Sequence, residues 1–134
     1  MMASAVVLDA PARHVLLVRD DELPRWRLVG VHVEGGEPLA EAARRAVQEQ
    51  TDLGRFQLME PHLAVQQNRF VCGEVETRHV DHVFAAVADP QTEVEVSRGR
   101  HTRSSWFAVS ELPTALDPSV RLHLSQAIRA TTGA

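Results

Sequence analysis

The chain has 134 residues, one cysteine and a formal net charge of −4, with 44% apolar and 24% charged residues. That is enough for a single domain, 1–134, with a real core, and ordinary for a soluble globular protein. The acidic balance argues against nucleic-acid binding, the lone Cys72 excludes an internal disulfide, and no apolar run reaches membrane-spanning length. The start, Met-Met-Ala-Ser-Ala-Val-Val-Leu-Asp, has no basic region or long apolar run, so no signal peptide is expected and a reducing cytoplasm is the expected compartment. All 14 basic residues are arginine, which fits GC-rich coding.

In chain order, Ala5 to Leu8 reads as a strand, Asp9-Ala-Pro-Ala as a turn and His14 to Arg19 as a second strand, so the two form a candidate hairpin. After the loop Asp20 to Pro24, Trp26 to Val29 is a third short strand. The stretch Gly30 to Gly36 is a glycine-bearing loop, and Pro38 to Thr51 reads as a helix with Pro38 in its first turn. Phe56 to Leu63 and Gln67 to Gly73 alternate loosely, as strands do. Arg78 to Ala88 is the strongest late strand and ends at Asp89-Pro90. Thr92 to Ser104 is polar and reads as a loop, and Ser105 to Val109 as a strand carrying Trp106 and Phe107. Ser110 is a candidate cap for a turn at Glu111 to Leu116. Ser119 is a candidate cap for a last helix, Val120 to Ala130, and the tail 131–134 should fray. No repeat or linker interrupts the chain, and the irregular interleaving of strands and helices favours a mixed sheet packed between helices.

The helix 38–51 has two characters. Leu39, Ala42, Ala43, Ala46 and Val47 share one broad face, and Glu41, Arg45 and Glu49 follow at i, i+4 spacing along a flank. Gln50 lies within the apolar face, where an amide is either hydrogen-bonded in the interior or turned toward a site. Glu37, just ahead of the helix, puts negative charge at its N-terminus, where the helix dipole favours it.

This stretch resembles the signature box of the Nudix hydrolases, G-x5-E-x7-R-E-U-x-E-E-x-G-U with U aliphatic, and the spacing is kept without a gap. Glu37 matches the first glutamate, Arg45 the arginine, Val47 the first aliphatic residue, Glu49 the first of the paired glutamates and Leu53 the last aliphatic. The lead-in from Trp26 to Glu37 is similar to the family's W-x-L-P-G-G-H-V-E-P-G-E, with Gly30 at the glycine whose carbonyl often ligands metal there. Val31 replaces the first box glycine, Ala46 and Gln50 replace two glutamates, and Asp52 replaces the last glycine. The resemblance implies an α/β fold of α+β character, an α/β/α sandwich with a mixed sheet between helices. It also implies that Glu37 and Arg45 hold the loop against the helix, and that Gly30, Glu49 and Gln50 are the remaining candidates to hold Mg2+ or Mn2+. Three helix carboxylates have become one, and hard divalent cations ask for several charged oxygens.

Other residues carry weaker signals. Glu93 and Glu95 lie in the late loop, where family members often carry an extra glutamate, so either is a candidate to assist catalysis beside Glu49 and compensate for Ala46. Their plain reading is a solvated loop. Arg98, Arg100 and Arg103 grip phosphate only if they converge, and otherwise are surface charges. His79 and His82 flank Asp81, but i, i+3 on a strand points to opposite faces, which disfavours a metal site. His32 sits in the box loop, where it can approach a phosphate, though a plain loop residue is the simpler reading. Cys72 reads as a small buried hydrophobe, and Trp26, Phe70, Trp106 and Phe107 as core, with stacking on a base as the alternative.

Two functions follow from the resemblance. One is a divalent-metal hydrolase that cleaves the phosphoanhydride of a nucleoside diphosphate linked to another moiety, working with a depleted metal site. The alternative is a catalytically inactive protein of the same fold that binds a nucleotide-derived small molecule or a protein partner. A third, weaker reading is an interaction module or homodimer with no ligand. The substrate-binding residues are not legible, because recognition beyond the pyrophosphate lies in variable loops.

Overall fold

Met2–Asp9 forms a strand, β1, whose residues Ala3 to Leu8 are all buried. A strand covered on both faces has no use for polar alternation, and five of those six residues are Ala, Val or Leu. The computed structural model describes residues 1–20, 24–72, 75–88, 97–98 and 102–133. After β1 come β2 (His14–Asp20), β3 (Val29–His32), α1 (Leu39–Gln50), β4 (Phe56–Cys72), β5 (Val75–Ala88), β6 (Ser97–Arg98), β7 (Thr102–Ala108) and α2 (Pro118–Thr132).

The strands make one mixed sheet in the order β4-β5-β1-β2-β7-β6, with β3 added to β1. β1 runs parallel to β5 from Met2↔Asp81 to Asp9↔Ala88, and the other pairings are antiparallel. The opposite edge of β1 is divided. β2 pairs with it at Val7 and Leu8, and β3 takes Met2 to Ala5. That division brings the loop after β3 to the start of α1.

A helix covers each face. On one, Ala42, Ala43, Ala46 and Val47 of α1 pack on Ala3, Ala5, Val7, Leu16, Val18, Val29, Phe84 and Ala86. On the other, Val120, Leu124 and Ala127 of α2 pack on Val6, Leu8, Val15, Leu17, Val83 and Ala85. This is the expected α/β/α layering with a mixed sheet between helices. Trp26 and Phe107 pack edge to face on the α2 side, with ring centroids 4.8 Å apart, and Trp106 packs against the α1 side. No described helix is long and apolar enough to cross a membrane.

The expected hairpin is present, with Val7↔Leu16 and Leu8↔Val15 in register. Several readings need correction. The helix expected over 38–51 is Leu39–Gln50, with Pro38 as its N-cap rather than in its first turn and Thr51 as its C-cap, and the short β6 lies within the expected 92–104 loop. The third strand begins at Val29, where it was expected to end, and runs on to His32 within the expected loop, while residues 26 and 27 make only isolated bridges, to Leu116 and Val18. The two strands expected over 56–73 are one long strand, β4, whose register with β5 shifts between Met59 and Ala64, where Pro61 lacks a ladder donor. β7 starts at Thr102, within the expected loop. The last helix is capped by Asp117, whose carboxylate accepts from the Ser119 backbone N–H at 2.9 Å. Pro118 occupies the first turn, and the helix runs on to Thr132, ending at Gly133 in the left-handed region at φ 73°.

The capping assignment separates two substitutions. Asp117→Ala should cost about 1 kcal/mol of stability, the usual loss of an N-cap. Ser119→Ala should leave stability nearly unchanged, because Ser119 contributes its backbone N–H. Urea denaturation of both variants checks this, and the reverse ranking would return the cap to Ser119.

Candidate functional site

The loop after β3 is fastened to α1 at two levels. The outer fastening is Arg45. Its Nε and Nη2 each lie 3.0 Å from an oxygen of Glu37, and Nη2 also donates to the His32 carbonyl at 2.8 Å. The planar guanidinium suits this two-pronged grip on a carboxylate. Glu37 also accepts from the Glu34 backbone N–H at 3.1 Å, and its own N–H bonds the Glu34 carbonyl at 3.0 Å, closing a turn that ends at Gly36 with φ 79°. The Arg45 bonds, aided by the Glu34 N–H, hold the Glu37 carboxyl below its ordinary pKa range. In return Glu37 keeps the Arg45 guanidinium more firmly protonated. Arg45 Nη1 further lies 3.4 Å from Glu49 and 3.8 Å from Glu34.

The inner fastening is Gln50. Its Oε1 accepts from the Gly30 N–H at 3.0 Å, and its Nε2 donates to the Gly30 carbonyl at 2.8 Å. The Val33 N–H bonds the Met1 carbonyl, and alternation along an antiparallel pair then makes Gly30↔Ser4 a pair without mutual hydrogen bonds. The Gly30 amide and carbonyl therefore point away from β1, and the Gln50 carboxamide meets both.

Under Gly30 lies a polar group in an otherwise apolar strand. The Ser4 hydroxyl is 2.9 Å from both oxygens of Asp81 and donates its one proton to that carboxylate. Both residues are buried. Burial pushes the Asp81 carboxyl above its ordinary pKa, opposed by the Ser4 bond and by the charges of His123 and His82. His123, also buried, lies 2.7 Å from Gln66 through Nε2. A β-carbon at position 30 would sit 2.6 Å from the Ser4 oxygen, so the close approach of β3 to β1 requires glycine there. The sequence reading did not single out Ser4 or His123 for a role. The available signal was a serine and an aspartate at interior positions of two apolar strands.

The box residues are distributed as follows. Ala46 is fully buried against the sheet, and Val47 and Leu53 lie in the same core. Val31, at the position of the first box glycine, packs partly buried beside them. Glu49 is 56% exposed on the flank next to Arg45. Gly30 and Gln50, the other two candidate metal ligands, are bonded to each other. Among the described residues no three His, Cys, Asp or Glu side chains come together as a metal-holding group. With Ala46 offering no donor and the Gly30 and Gln50 oxygens engaged, the described residues do not fit a complete magnesium or manganese site. Glu93, Glu95 and Arg100 lie outside the described residues, as do the side chains of Phe70, Cys72, His79 and Arg98. His82 packs edge to face on His62, with centroids 5.1 Å apart.

The Glu37–Arg45 grip has a pH signature. A carboxyl whose folded pKa lies below its unfolded value stabilises the fold fully above the ordinary glutamate range. That contribution disappears as pH falls through the folded value. Glu37→Gln should therefore lower stability at neutral pH and flatten its decline toward acid, and Arg45→Met should do the same. Chemical denaturation at a series of pH values from neutral to acid measures this. A decline as steep in Glu37→Gln as in the parent would remove the grip as its source.

Comparison with known proteins places this geometry. The family model described as NUDIX domain matches residues 1–127. A hydrolase of the NUDIX family from Clostridium perfringens superimposes with a TM-score of 0.77 at 17% identity, covering 95% of this chain and 94% of that one. A MutT NUDIX hydrolase from Burkholderia pseudomallei does so with a TM-score of 0.63 at 24% identity, covering 93% and 95%. The NUDIX domain of Shewanella oneidensis NrtR, solved in complex with ADP-ribose, gives 0.65 at 17% identity, covering 93% and 84%. A search of curated protein sequences finds no match. With its loop and helix joined at the box spacing and the family model spanning nearly its whole length, this chain belongs to the NUDIX domain family.

Proposed function

We propose that this protein is a Nudix hydrolase acting on a nucleoside diphosphate linked to another moiety, with a depleted site for Mg2+ or Mn2+. The observation that carries the reading is the Arg45 grip. It ties the loop ending at Glu37 to α1 at the box spacing and leaves Glu49 beside it, exposed and charged. A divalent ion, when bound at such a site, polarises phosphoryl oxygens and generates the nucleophile. Glu49 is the described carboxylate proposed to face it. Glu93 or Glu95 is the proposed source of the charge that Ala46 and Gln50 no longer supply. Arg45 and Glu37 act by keeping loop and helix in register. A related fold solved with ADP-ribose supports that compound as the first ligand to try.

The comparisons do not favour a second reading, binding of the same ligand class without hydrolysis; what speaks for it is that the Gln50 carboxamide is committed to Gly30. Calorimetric titration of Mg2+ and Mn2+, with and without ADP-ribose, followed by a turnover screen over nucleoside diphosphate derivatives, decides between the two. The hydrolase reading expects ligand-dependent metal binding and turnover that Glu49→Gln abolishes. Ligand binding without metal or turnover would establish the second reading, and full activity in Glu49→Gln would remove that residue from the mechanism.

A further inference from the structure

We propose that Gln50 makes the seam between β3 and α1 a cation-free clasp, so that the Gly30 loop is set without a divalent ion and the Gly30 carbonyl is withdrawn from any ion that enters the cleft. The inference deepens the hydrolase reading and rests on it only in treating this seam as the inner wall of the ligand site.

The argument is one of donors and acceptors. Gly30 turns both backbone groups away from β1, and among the described strands none pairs with β3 on that side. A backbone N–H and C=O left without partners in a part-buried seam carry a desolvation cost, so something must meet them. A carboxamide is the side chain that meets both at once, because it holds an acceptor and a donor at the spacing of a peptide group. Gln50 does so at 3.0 and 2.8 Å. A carboxylate in its place would still accept from the Gly30 N–H. It would also set its second oxygen against the Gly30 carbonyl, and two oxygens facing each other repel unless a cation or a proton lies between them. Residue 50 thus chooses what closes the seam. A glutamate would need a cation or a proton to close the seam at neutral pH, and glutamine closes it with its own Nε2 protons. Ala46, one helical turn away on the same face and fully buried, supplies no oxygen that would draw an ion back.

The clasp also specifies the route left for metal. An ion reaching this chain meets Glu49 from the exposed flank, where Arg45 competes for the same carboxylate at 3.4 Å.

Thermal melts in EDTA and in millimolar MnCl2, with calorimetric titration of MnCl2 alone, test the proposal on the full chain and the variant Gln50→Glu. The parent should melt at the same temperature in both buffers. Gln50→Glu should lose about 4 °C in EDTA, recover it in MnCl2, and bind Mn2+ about tenfold more tightly than the parent or better. Equal Mn2+ responses in parent and variant would overturn the clasp. Hydrogen exchange of the Gly30 amide in the parent tests the same point without any substitution. Protection in EDTA, unchanged by Mg2+, is the expected result. Fast exchange in EDTA that slows on adding Mg2+ would overturn the proposal while strengthening the hydrolase reading. Absence of turnover with a metal-independent clasp would overturn the hydrolase reading alone.

Discussion

The divided edge of β1 is the constraint on which the rest depends. One edge is filled by β5 along its whole length, and the other is shared between β2 and β3. Because β2 leaves after Val7 and Leu8, the chain that returns at Val29 finds an open ladder beside Met2 to Ala5. Sheet formation, not the loop's own preferences, therefore places Gly30. Once Gly30 is fixed, the following residues must reach α1 within a short span, and α1 is itself held down by alanines and Val47 on the sheet. The candidate site is the join between two elements that the core positions independently.

Two chemistries close that join. The outer one is ionic, on a surface where Glu37 and Arg45 keep 17% and 25% of their side chains exposed, so it responds to pH and to salt. The inner one is a neutral amide meeting a neutral peptide group, and it responds to neither. The order is physically sensible. A charge at position 50, part-buried behind the loop, would need a counter-charge to offset its desolvation, whereas a carboxamide needs only the two bonds it makes.

Much of this was legible in the residues. The β1–β2 hairpin, α1, the late strand β5 and the final helix follow from apolar runs and periodicity, and the unbroken box spacing located the loop–helix join. Gln50 on an apolar helix face posed two alternatives, and in the structure it sits part-buried with reciprocal bonds to Gly30. What stayed hidden were choices made by tertiary partners. β3 has four residues, one of them a glycine, and it is a strand only because β1 offers it an edge. β4 reads as two segments broken at 64–66, yet β5 pairs straight through Ala64, Val65 and Gln66, and the irregularity falls instead between Met59 and Ala64. Asp117 and Ser119 are both good caps by composition, and Pro118 between them decides, since proline suits the first helical position and so makes its predecessor the cap. Asp81 gave no sign of its partner because Ser4 is 77 positions away in sequence.

Gly30 shows why a conserved-looking motif residue needs a physical reading before a functional one. In a Nudix box its carbonyl suggests a metal ligand. Here packing alone argues for the glycine. A side chain would collide with the Ser4 hydroxyl, and that hydroxyl cannot turn away without leaving the buried Asp81 carboxylate short of a donor. Burial already pushes Asp81 toward its neutral form, so loss of the Ser4 bond would push it further. Position 30 would thus remain glycine in a chain that never binds a metal ion, and its presence is evidence for the β1–β3 contact first. The residues that would speak to metal are those whose chemistry changes with its presence, and among the described ones the candidates are Glu49, a carboxylate, and Gln50, a carboxamide.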